Sequence, residues 1–88
     1  MTAATPRTVE QYLDALRAAL QGADPALLQD ALYDAEEHLR AELAQHPGDA
    51  EGDVLARIVT SYGAPDEVAE AYRANEATIQ NALRTPTP

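Results

Sequence analysis

The residues most capable of chemistry are His38, Glu42 and His46, spaced by four. Side chains at i and i+4 stack on one face of a helix, so this trio could offer Zn²⁺ two imidazoles and a carboxylate. Three features weigh against it. His46 precedes Pro47, where a helix should end, and it falls on the apolar stripe of its helix instead of beside an open pocket. A His–Glu pair at this spacing is also ordinary on helices. The reading preferred here is no metal and no cofactor, with the trio kept as the alternative.

Other catalytic chemistry is poorly supplied. Ser61 is the only serine, stands near a predicted helix end and has no local histidine, and there is no cysteine to act as nucleophile or thiolate ligand. Carboxylates crowd together in Asp34, Glu36 and Glu37 and again in Asp66, Glu67 and Glu70. A glycosidase-like pair must face across a cleft with one pKa raised, and neighbours on a solvated helix supply neither condition. A carrier-protein role needs a serine at a helix start, which Ser61 does not provide. The expectation is a protein that is not an enzyme.

One aromatic stands apart. Tyr33 falls off the apolar stripe of its helix, beside Glu36, Glu37 and Arg40, where a large ring has no packing duty. Such a ring can anchor an interface, although single exposed aromatics are also common. Tyr33, Glu36, Glu37 and Arg40 are the candidate partner-binding residues. Tyr12, Tyr62 and Tyr72 lie on or beside apolar faces, with hydroxyls expected at the core edge.

The elements that hold these residues are helices. Of the 88 residues 45% are hydrophobic, yet alanine and leucine supply most of these while Phe and Trp are absent, a mixture that favours helix over strand. Thr8 with Gln11 opens the first helix as a capping box, Val9, Tyr12, Leu13, Leu16 and Leu20 follow, and Gly22 stops it. Asp24-Pro25 starts the second and longest helix, whose expected stripe is Leu28, Leu32, Ala35, Leu39 and Leu43. His46-Pro47-Gly48-Asp49 ends it. A third helix starts near Asp49 or Ala50 and buries Val54, Leu55, Ile58, Val59 and Tyr62 before Gly63. Pro65, Asp66 and Glu67 start a fourth that lacks a good cap residue at Ala64.

The fold class is therefore all-α, a compact bundle of four short-looped helices packed in sequence. Residues 1–7 read as a disordered lead, 8–74 as the bundle, and 75–88 as a helical extension and Thr/Pro linker, suggesting that the chain was cut from a longer one. Leu27, Val59, Ile79 and Leu83 remain as spare apolar surface for a homo-oligomer.

Fifteen carboxylates against six arginines give a net charge of −9. That balance repels nucleic acid and anionic lipid, and would be steered toward a basic protein surface. It is also what keeps a domain soluble. There is no secretory h-region and no apolar run of about 20 residues, so any membrane contact is expected only through a segment beyond residue 88.

The order of Val9-Glu10-Gln11-Tyr12-Leu13-Asp14-Ala15-Leu16, Asp34-Ala35-Glu36-Glu37-His38-Leu39 and Tyr62-Gly63-Ala64-Pro65-Asp66-Glu67-Val68-Ala69-Glu70-Ala71-Tyr72 resembles the HAAS family across residues 8 to 74. This is an all-helical domain of signalling type. The chain departs from its pattern with Tyr62 for the usual leucine, with Ala64 for the usual Asp or Ser, and in lacking a charged opening to helix two. The resemblance implies a cytoplasmic module, often N-terminal to transmembrane segments and often encoded beside a PadR-type regulator. It carries over no catalytic residue. The functional expectation is a cytoplasmic signalling or protein-interaction head tethered to a membrane, with a metal- or small-ligand-sensing domain using His38, Glu42 and His46 as the alternative.

Overall fold

A computed structural model describes residues 5–84 of the chain, and the side chains of residues 5–75. Its four helices are α1 (Val9–Ala19), α2 (Pro25–Gln45), α3 (Glu51–Ser61) and α4 (Pro65–Arg84), joined by residues 20–24, 46–50 and 62–64. No described residue lies in a strand.

Local chemistry sets three of the four starts. Thr8 is extended and its Oγ1 accepts the Gln11 N–H at 3.0 Å, while Gln11 Oε1 accepts from Arg7 N at 2.9 Å. The reciprocal bond of the box is thus taken by the residue before the cap. Asp24 Oδ1 accepts the Ala26 N–H at 2.8 Å, with Pro25 in the first turn. At α4, Glu67 Oε1 reaches back to the Ala64 N–H at 2.9 Å, supplying half a capping box where Ala64 has no side chain to give. Only α3 starts without a side-chain cap, relying on Glu51 and Asp53 in its first turn against the helix dipole.

The core joins Val9, Tyr12, Leu16 and Leu20 to Ala31, Ala35 and Leu39, to Val54, Leu55 and Ile58, and to Val68 and Ala69. Burying each of the larger aliphatic side chains contributes roughly 1.5–3 kcal/mol. The buried line of α2 is Ala31, Ala35 and Leu39, while Leu28, Leu32 and Leu43 of the expected stripe are only half-buried. The line moves because α2 is the central helix, touching all three others. Two fully buried alanines lie at its middle, and the leucines on its flanks are half-buried against the core.

Packing departs from simple sequence order. The first helix lies chiefly against α4 and α2, and α3 against α2, whereas α3 and α4 touch little although they are successive. Gly63 turns the chain between them. Its φ of +129° lies where other residues are strained, and a Cβ there would stand 3.3 Å from Val68 Cγ2.

The N-terminal end of the bundle differs from expectation, while the C-terminal end continues as a helix. Residues 1–4 of the lead lie outside the described residues, but Pro6 is buried and the Arg7 guanidinium lies over Gly52, at 3.3 Å from where a Cβ would be. The last residues of the lead therefore pack on the fold, where composition suggested disorder. At the other end α4 runs unbroken to Arg84, and residues 85–88 of the predicted linker lie outside the described residues.

Candidate functional site

Tyr33 is the one large hydrophobic side chain exposed among the described residues, at 67%. It projects from the middle of α2, the side of that helix opposite Ala31 and Ala35 being open to solvent. Asp30 lies one turn before it and Glu37 one turn after, both exposed. Glu36 is half-buried and bound to Arg40, whose Nε and Nη2 donate to its Oε2 at 3.0 and 2.8 Å. The ion pair holds both side chains along the helix and offsets one charge. What remains beside the ring is carboxylate in excess, with Glu37 in no ion pair among the described residues. The four predicted partner-binding residues thus share one open face, on which Tyr33 and Glu37 are the groups free to receive something.

Asp34 is drawn elsewhere. Its Oδ2 accepts a hydrogen bond from the Tyr72 hydroxyl of α4 at 2.9 Å. Burial, then the hydrogen bond and charge of Asp34, push the Tyr72 hydroxyl above its ordinary pKa. The Tyr62 hydroxyl is raised by burial and by Asp34 as well. Tyr12 is fully buried, deeper than the core edge expected for it, and donates to the Gly63 carbonyl at 2.7 Å. Burial dominates its upward shift, with Tyr62, Glu67 and Asp66 adding.

The histidines do not come together. The His38 ring stacks on Tyr62 with centroids 4.3 Å apart and planes 17° from parallel, which engages it between α2 and the end of α3. His46 caps α2, with Nε2 3.9 Å from Glu42 Oε2 and Nδ1 3.7 Å from Asp49 Oδ2, so its two nitrogens face different carboxylates. Asp49 also holds Arg57. Among the described residues no three His, Cys, Asp or Glu side chains are placed to hold a metal ion. Ser61 Oγ donates to the Arg57 carbonyl at 2.9 Å, a bond internal to its own helix.

An open groove of about 430 Å³ runs between the end of α3 and α4, lined by Val59, Tyr62, Gly63, Glu67, Val68 and Tyr72 among others. Its Glu67 and Tyr72 are already committed to Ala64 and Asp34.

Several contacts had no local signal in the sequence. The Glu51 carboxylate accepts the Val9 N–H at 2.9 Å, capping α1 from α3. Arg73 Nη2 donates to the carbonyls of Ala19 and Gln21 at 3.1 and 2.9 Å, capping the other end of α1 from α4. Each joins residues more than forty positions apart, and only the folded topology makes them neighbours.

No curated protein and no solved structure matches the chain. The HAAS family profile does match, over residues 11–71, from the first turn of α1 to the groove-lining half of α4. That span covers most of the chain, with the whole of the middle motif and all but the outermost residues of the other two, so the chain belongs to the HAAS family.

Proposed function

We propose that this domain is a non-enzymatic signalling or protein-interaction module, working as the cytoplasmic head of a membrane protein, and that its partner docks on the Tyr33 face of α2. The observation that carries the reading is the 67% exposure of Tyr33 on a helix whose other large apolar side chains are at least half-buried. Leaving a tyrosine in water gives the fold nothing, whereas an aromatic anchor gives an interface much of its energy. The surrounding carboxylates and the net charge of −9 favour a basic partner, drawn in by long-range attraction. The membrane part of the proposal comes from what the family resemblance implies. Among the described residues no helix is long and apolar enough to cross a membrane, so attachment would be carried by another segment. The metal-sensing alternative has no comparable observation in its favour, since His38 is engaged by Tyr62.

Affinity capture with wild-type and Tyr33→Ala baits tests this directly. A partner should be held by the wild type at low salt and lost from the variant. It should also be released near 1 M salt, where charges are screened beyond about 3 Å. Recovery of the same proteins by both baits would remove the Tyr33 face from consideration.

A further inference from the structure

The opening turn of α4 and the turns that follow it are held by different means. The opening is built into the core: Pro65, Val68 and Ala69 are buried, and the turn before it is pinned by Tyr12 on the Gly63 carbonyl. After Ala69 none of the side chains described on this helix is fully buried. What grips it there is an adjacent pair: Tyr72, whose half-buried ring packs against the core and whose hydroxyl reaches out of it, and Arg73. Tyr72 donates to Asp34 of α2, and Arg73 donates to the Ala19 and Gln21 carbonyls at the end of α1.

Adjacent residues on a helix project about 100° apart. One therefore reaches α2 and the other α1, and together they fix the rotation of α4 about its own axis as well as its distance from the bundle. Turning the helix either way pulls at least one of them off its acceptor. The hydrogen bonds of both grips are solvent-exposed, and beside them only the half-buried Tyr72 ring adds packing, so this stretch is held less firmly than the core, and local opening of a structure starts at such places. Beyond them the helix continues to Arg84.

We infer that Tyr72 and Arg73 form a releasable latch that locks α4 to α1 and α2, and that the Tyr72–Asp34 bond couples the position of α4 to the partner face of α2. Asp34 follows Tyr33 in the chain and sits about 100° round α2 from it, at the edge of the docking face, so the latch decides whether its carboxylate is held by α4 or left to a partner docked there. Arg73 contributes a second consequence: the closed latch caps the last carbonyls of α1 with a cation, and opening leaves them to water. The coupling half rests on the proposed partner reading, but the latch itself does not.

Amide hydrogen exchange on wild type, Tyr72→Phe, Arg73→Gln and the double variant tests both halves without any partner. Releasing the latch should speed exchange about tenfold or more at residues 17–23 and 70–75, while Val54, Leu55 and Ile58 stay protected. The single variants, which leave one grip in place, keep the test usable if the double variant is poorly folded. Unchanged exchange in those two segments would overturn the latch, and so would an equal rise across all four helices, which would mean general destabilisation. For the coupling, the ring resonances of Tyr33 should shift in Tyr72→Phe, and no shift would sink it. A Tyr33→Ala chain with normal exchange but no partner capture would leave both the latch and the partner reading standing.

Discussion

Tyr12 and Tyr33 are the same side chain on neighbouring helices, brought to opposite ends. Tyr12 is wholly buried, and its hydroxyl fastens α1 to the α3–α4 turn across fifty-one positions of chain. Tyr33 stands in solvent and makes no side-chain hydrogen bond among the described residues. Burial decides what each can do. A phenol sealed in the core must satisfy its hydroxyl inside the fold and thereby organises it. A phenol on the surface contributes little to the fold and is free for another molecule. On the proposed reading, stability and recognition are carried by different tyrosines, which can be separated by mutation.

The largest effect is expected at Tyr12. Truncation in Tyr12→Ala removes a large buried ring and leaves a cavity, costing about 3–5 kcal/mol. A domain of this size has only about 5–15 kcal/mol in total, so much of its stability would go. Tyr12→Phe keeps the ring and strands the Gly63 carbonyl, at about 1–3 kcal/mol. Urea denaturation of the two variants should rank them in that order, and equal midpoints would mean that the hydroxyl, not the ring, sets the stability.

Alkali should attack the same region. The folded-state pKa values of Tyr12, Tyr62 and Tyr72 are raised, chiefly by burial, so the native state keeps its protons after the unfolded chain begins to lose them near pH 10. The stability these groups contribute is fully present below pH ~10 and is lost as pH rises through that value toward the folded pKa values. The unfolded state then binds fewer protons, so the slope of stability with pH is negative, about 1.4 kcal/mol per pH unit for one fully retained proton such as that of Tyr12. Denaturation midpoints measured at pH 8, 9.5 and 11 should be flat over the first interval and fall over the second. In Tyr12→Phe the fall should be shallower.

How much of this was legible in the sequence depends on how far each cause reaches along the chain. Helix starts were readable because caps act within three residues, as Thr8, Asp24 and Glu67 do. The exposure of Tyr33 was readable too, since a wheel needs only one helix. The exact buried line of α2 was not. Choosing Ala31 over Leu28 and Leu32 depends on which helices close on it, and α1 and α4 meeting ahead of α3 and α4 is a fact of topology. The depth of Tyr12, the His38–Tyr62 stack and the caps given to α1 by Glu51 and Arg73 fail for the same reason. The departures of Tyr62 and Ala64 from the family pattern find partial accounts: Tyr62 is the ring on which His38 stacks, and Glu67 supplies the cap bond at Ala64.

The smallest effect on the fold, and the sharpest edge of the comparison, lies at Tyr33. Tyr33→Ala removes no core contact and no hydrogen bond seen among the described residues, and alanine is the better helix former by up to ~0.7 kcal/mol. Surface changes of this kind stay within about 0.5 kcal/mol, so thermal unfolding should be unchanged or slightly later. A loss of 2 kcal/mol would show that the ring packs on its own domain, and the division of labour between the two tyrosines would collapse. If instead stability is kept while the partner is lost, the exposed ring is doing for another protein what Tyr12 does for this one. Glu37→Gln on the same helix should then weaken capture less than Tyr33→Ala, because a rim charge mainly speeds encounter whereas a buried ring holds the complex together.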